Sequence, residues 1–128
     1  NISFLTEFSA NNDLIYCSQN QIKQACLAIL VNASEAVSEN GEIIIKTKNP
    51  DEYSVKLEIS DNGSGISPED LPHIFEPFFS AKQKASGIGL GLAIVHGIVQ
   101  SHKGTIEVES EPGKGTTISI ILPVNKNL

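Results

Sequence analysis

The chain has 128 residues and a formal charge of −6, nine Lys and Arg against fifteen Asp and Glu, which is enough for one domain with a buried core. It has no basic stripe, which disfavours a nucleic-acid partner, and no apolar run approaches the roughly 18 to 20 residues that span a bilayer. Aromatic residues are only 5%, so the core must rest on Ile, Leu, Val and Ala, and Cys17 and Cys26 match no zinc or redox spacing, as expected of a reduced cytosolic protein. The opening NISFLTEFSA lacks a basic n-region, so secretion is not expected, and its abrupt strand-like start suggests a domain of a longer protein.

Residues 2–8 and 13–17 read as short strands joined by a polar turn around Ala10-Asn11-Asn12. Ser18 and Gln21 form a capping box, and helical spacing follows through Ile22, Cys26, Ile29 and Leu30 until Glu39-Asn40-Gly41. Within that helix Ala28, Asn32 and Ala36 share one face, small side chains with one amide in the middle, as a ligand lying along the helix would require. Two strands follow, 42–48 and 53–60, joined by Asn49-Pro50-Asp51-Glu52. In the second, Val55, Leu57 and Ile59 alternate with Lys56 and Glu58, and the same step of two carries Asp61 onto the apolar face. A carboxylate there needs donors, either from a ligand or from backbone N–H groups of a strand-end turn.

Asp61 opens the first of two glycine clusters, Asp61-Asn62-Gly63-Ser64-Gly65, and Gly87-Ile88-Gly89-Leu90-Gly91 is the second. Neither follows the dinucleotide-fold or Walker pattern, but bare backbone lets a ligand approach and lets amides turn toward an anion. Between them, Ser67-Pro68-Glu69-Asp70 predicts a short helix disturbed at Pro72, and Ile74 to Phe79 holds three of the five phenylalanines. Residues 80–86 read as a mobile polar loop with two lysines, poised over a phosphate. The second cluster runs into a helix that ends near His102-Lys103-Gly104, so its amides sit at a helix N-terminus. A hairpin, 105–110 and 116–122 around Glu111 to Gly115, closes the chain. The run of elements predicts an α/β two-layer sandwich: one mixed, mostly antiparallel sheet with helices on one face. The first glycine cluster would lie near a base and the second near phosphates.

These segments resemble the catalytic and ATP-binding domain of sensor histidine kinases, whose Bergerat fold is shared with DNA gyrase B, Hsp90 and MutL. LAILVNASEAV resembles the N box, DNGSGI the first glycine box, IFEPFF the F box and GIGLGLAIV the second glycine box, in order and over nearly the whole chain. The resemblance implies that residues 1–128 form a single ATP-binding catalytic domain without its dimerisation and phosphoacceptor segment. It implies ATP and Mg²⁺ as cofactors, with Asn32 holding the metal and Asn32 and Lys82 serving catalysis. Asp61 would accept the adenine amine, with Gly63, Gly65 and Ile66 close to the base and Thr116 binding it through water. Phe78 and Leu90 would line the site, and Gly87, Gly89 and Gly91 would hinge a lid and offer amides to the phosphates.

Three positions depart from the pattern. Ala28 stands where a first Asn, or the water-activating glutamate of the related ATP hydrolases, would lie one turn before Asn32, and Glu35 replaces a frequent Lys or His. Lys103 stands where a Gly often precedes Gly104, a change expected to be harmless. Alanine accepts no proton, so γ-phosphoryl transfer to an outside histidine is expected in preference to hydrolysis. The partners would then be the dimerisation domain of the same parent protein and a response regulator, with no nucleic acid and no membrane contact by this domain. A gyrase- or Hsp90-like ATPase and a non-catalytic ATP-sensing module are the alternatives. His73, His96 and His102 lack a phosphoacceptor context and are expected to have core or surface roles.

Overall fold

The computed structural model describes residues 3–8, 19–37, 40–76 and 91–124. The elements are β1 (Ser3–Phe8), α1 (Gln19–Ala36), β2 (Glu42–Lys48), β3 (Ser54–Asp61), α2 (Gly91–Ser101), β4 (Thr105–Glu111) and β5 (Gly115–Pro123). The predicted strand at 13–17, the turn before it and the capping Ser18 lie outside the described residues. The sheet order is β1-β2-β3-β5-β4, with β1 parallel to β2 and every other pairing antiparallel. The parallel pair arises because α1 is the crossover between its strands.

Facing residues fall into rows. Ile45, Ile59, Ile118 and Val108 lie opposite one another across four strands, and Thr47, Leu57, Ile120 and Ile106 form the next row. On this side α1 contributes Ala25, Ile29 and Ala33, spaced by four, and α2 contributes Val95, Ile98 and Val99, all packed in one core with Ile43, Ile59 and Ile118. The other face is polar. There Lys48 Nζ lies 3.0 Å from Glu58 Oε2, and Lys56 Nζ lies 3.7 Å from both Glu58 and Glu107. The result is the expected two-layer α/β sandwich with the helices on one face.

Two local predictions need correction. The helix expected from Ser67 is a single 3-10 turn, Leu71–His73, with Pro72 inside it, because a ring without an N–H is tolerated only in the opening turn. Lys103 is not a harmless departure. Gly104 N–H donates to Val99 O at 2.9 Å and Lys103 N–H to Gln100 O at 3.0 Å, closing α2 in a Schellman motif. That motif puts Lys103 at φ 62, a left-handed conformation that costs a side-chain-bearing residue about 1 kcal/mol.

Candidate functional site

The row of the sheet beyond Ile45 and Ile59 begins with Ile43 and continues through Asp61 and Thr116 to Ser110. Three of its four residues are polar, although they lie on the face that is otherwise apolar core. Asp61 is half-buried and Thr116 is 5% exposed. Burial of this kind requires partners, and the structure supplies them. Asp61 Oδ1 accepts from the N–H of Gly63 at 2.8 Å, the turn-type donor that its position at a strand end allows. Ser110 Oγ lies 2.8 Å from Thr116 Oγ1, donates to Gly115 O at 3.0 Å and accepts from Ile66 N–H at 2.8 Å.

The turn after Asp61 is held by contacts with the chain itself. Ser64 N–H donates to Ala36 O at 3.1 Å, and Gly113 N–H donates to Ser64 O at 2.7 Å. A Cβ on Gly63 would collide with the carbonyl of Ala36, and one on Gly65, at φ 76, with the carbonyl of Glu111. The two glycines are therefore required for close approach to α1 and to the β4–β5 turn. That reason differs from the approach of a base that the resemblance implies, and it is compatible with it. Gly115, at φ 120, passes the backbone of Asp61 in the same way.

Asn32 is bracketed by these contacts. One turn after it, Ala36 meets the Gly63 turn, and one turn before it, Ala28 lies 3.9 Å from where a Cβ on Gly91 would sit. Gly91 opens α2, so Asn32 lies on α1 between Ala36, which meets the Gly63 turn after Asp61, and Ala28, which lies beside the start of α2. The Asn32 side chain is half-buried and makes no hydrogen bond among the described residues. An amide oxygen so placed suits a hard cation, and the flanking features suit an anion at one end and a donor at the other. Ala28 fills the place at which a longer side chain would meet the start of α2.

Phe78, Lys82, Gly87, Gly89, Leu90 and the loop at 80–86 lie outside the described residues. Asp61, Gly63, Gly65, Ile66 and Thr116 come together, with Asn32 and Gly91 along the adjacent helices. Each histidine has a structural neighbour: His73 Nδ1 lies 2.8 Å from Glu76, His96 packs on Phe75 with ring centroids 5.4 Å apart, and His102 Nδ1 lies 2.8 Å from Ile98 O. Burial pushes the Cys26 thiol up, which suits an inert packing residue. Sequence reasoning missed Ser110 and Gly115. The alternation Ile106, Val108, Ser110 carries the same signal as the one that singled out Asp61, a polar group stepping onto a core face.

Residues 17–126 match the family described as histidine kinase-, DNA gyrase B-, and HSP90-like ATPase. Among curated proteins the chain is similar to the sensor histidine kinase ZraS of Escherichia coli (strain K12), 42% identical over 120 residues, which cover 92% of this chain and 25% of that protein. Among solved structures it is similar to the mycobacterial sensor histidine kinase MprB, with TM-score 0.86 and 29% identity over 95% of this chain and 83% of that one. Full-length ShkA in complex with AMPPNP matches with TM-score 0.83 and 27% identity, over 95% of this chain and 25% of that one. The chain thus spans a quarter of the length of ZraS.

Proposed function

The chain belongs to the family of histidine kinase-, DNA gyrase B- and HSP90-like ATPases, and from that premise we propose that it is the Mg-ATP-binding kinase domain of a two-component sensor histidine kinase. It passes the γ-phosphoryl group of ATP to a histidine on a separate dimerisation domain of the same parent protein, from which a response regulator takes it. The observation that carries this reading is the polar end row, with Asp61 beside Thr116, at one end of a path that runs along Asn32 to the N-terminus of α2. The likeness to ShkA, solved with an ATP analogue, supports the same reading.

In this reading Asp61 accepts the exocyclic amine of adenine. Guanine presents an oxygen at that position, so a carboxylate repels it and the site selects ATP over GTP. Gly63 and Gly65 hold the turn so that Ile66 borders the base, and Thr116 contacts it through water. Asn32 holds Mg²⁺, which neutralises phosphate charge when bound. The amides of Gly87, Gly89 and Gly91 and the ammonium of Lys82 receive the phosphates, while Phe78 and Leu90 line the site.

Positioning and charge stabilisation do most of the work in such a transfer. Hydrolysis in the gyrase or Hsp90 manner lacks its base, because Ala28 presents only a methyl group one turn before Asn32. Among the described residues no helix is long and apolar enough to cross a membrane. In the proposed reading the domain is cytoplasmic and makes no direct membrane contact.

The test is transfer in trans. Incubated with labelled ATP and a separately made phosphoacceptor domain, this chain labels the acceptor histidine and releases little free phosphate. Binding without transfer to any acceptor would leave an ATP-sensing module, and steady phosphate release would point to an ATPase.

A further inference from the structure

We infer that Asn62 is a positioning residue that ends β3 with its side chain, so that Asp61 keeps its place in the sheet while the chain turns at once into Gly63, and that it acts on the nucleotide only through the Asp61 carboxylate. The inference rests on the adenine reading above and gives Asp61 a neighbour that aims it.

Glu42 and Asn62 stand one step beyond the last pair of the β2–β3 ladder, Ile43 with Asp61. In an antiparallel ladder a hydrogen-bonded pair exchanges two backbone bonds. One of the two is made here, from Asn62 N–H to Glu42 O at 3.3 Å. The return bond leaves the backbone: Glu42 N–H donates to Asn62 Oδ1 at 2.9 Å. A side-chain oxygen thus stands where the main-chain carbonyl of the same residue would ordinarily accept. An N–H needs an acceptor, so it is the oxygen and not the NH2 of the Asn62 amide that faces Glu42. The rung closes without the backbone carbonyl of Asn62, and the chain is free to leave the sheet directly after Asp61.

That early exit is what the carboxylate requires. Gly63 N–H donates to Asp61 Oδ1 at 2.8 Å, while Gly63 itself lies against the Ala36 carbonyl, where a Cβ would collide. The next amide, Ser64 N–H, donates to Ala36 O at 3.1 Å. A strand carried one residue further would turn Gly63 away from both contacts, because successive strand residues point to opposite faces. Holding Oδ1 on the Gly63 N–H fixes the direction of the carboxylate, and direction decides whether it can meet a single adenine amine. Ser110 ties the far end of the same turn through Ile66 N–H, and Asn62 ties its near end to β2. Glu42 and Asn62 are both exposed, so their bond adds little to the core and its effect is confined to the place where β3 ends.

The experiment titrates the 128-residue chain with Mg-ATP by amide NMR, as wild type, Asn62→Ala and Asn62→Asp, with Asn62→Ala made also in the Asp61→Asn background. Asn62→Ala removes the oxygen that Glu42 N–H uses, so the dissociation constant should rise about three- to tenfold, and the Gly63 amide proton should move upfield as its bond to Asp61 loosens. Asn62→Asp keeps an acceptor oxygen and should restore both. In the Asp61→Asn background Asn62→Ala should cost less than about twofold, because the charge it aims is already gone. Circular dichroism checks the fold, and if the alanine variant does not fold, Asn62→Ser, whose hydroxyl stops one bond short of Glu42 N–H, should show the same loss. An affinity and a Gly63 shift unchanged in the folded Ala or Ser variant, an equal loss in both backgrounds, or a loss that Asn62→Asp leaves in place overturns the inference. A wild-type chain that does not bind Mg-ATP overturns the adenine reading instead.

Discussion

At the scale of single residues, Asp61 holds the Gly63 turn and, in the proposed reading, accepts the adenine amine, and a substitution can separate the two. Its Oδ1 accepts from Gly63 N–H, which the amide oxygen of asparagine can also do, whereas a negative charge facing a donor is lost. Asp61→Asn should therefore keep the circular dichroism spectrum and lose about 10- to 100-fold in ATP affinity by calorimetry; unchanged affinity would remove Asp61 from the site. Glu58, on the opposite face of the sheet, offers an independent check. A hydrogen bond from Lys48, reinforced by the charges of Lys48, Lys56 and Lys46, holds its carboxyl below the ordinary value of 4.5 against an opposing effect of burial. The folded state thus binds a proton less readily than the unfolded chain, so the stabilisation is complete above pH 4.5 and disappears as pH falls through the folded value. Melting curves of Glu58→Gln should differ from wild type at neutral pH and converge with it in acid; a constant difference would mean that the charge is irrelevant. Asp61 was legible from alternation because a strand repeats every two residues, and Ser110 was legible in principle by the same count. Its role was not, since Ile66 is its partner across 44 positions of chain.

At the scale of elements, short-range patterns reported well and long-range closure did not. Local period and turn residues carried these elements: the strand expected over 53–60 forms one residue later, over Ser54–Asp61, and the hairpin expected over 105–110 and 116–122 forms over Thr105–Glu111 and Gly115–Pro123. The parallel pairing of β1 with β2 had no local signature, because the helix between them sets it. The same is true of the glycines: Gly63 is explained by the carbonyl of Ala36 and Gly115 by the backbone of Asp61, contacts that no composition reveals. The end of α2 yields a prediction in the stabilising direction. Lys103→Gly should relieve the left-handed residue of the Schellman motif and raise the melting temperature by about 3 to 5 °C. A lowered melting temperature would mean that the lysine stem contributes more packing than its backbone conformation costs.

At the scale of the whole molecule, the sheet works as a graded surface. Its helix-facing side is mainly apolar, and polar residues gather in the last row, Asp61, Thr116 and Ser110, next to the turn that docks on α1. Helix α1 runs from the Gly63 turn at Ala36 past Asn32 to Ala28 beside Gly91, and the proposed reading puts the base at the first end and the phosphates at the second. The opposite, polar face carries the Lys48, Glu58, Lys56 and Glu107 pairs. The most direct test of this arrangement is an amide NMR titration of the chain with Mg-ATP. The largest shifts should fall on Gly63, Ile66, Thr116 and Gly91 with little change at Lys48 and Lys56, and Asp61→Asn should move their midpoint to about 10- to 100-fold more Mg-ATP; shifts centred on the lysine-bearing face, or a glycine turn that stays silent at saturation, would contradict it.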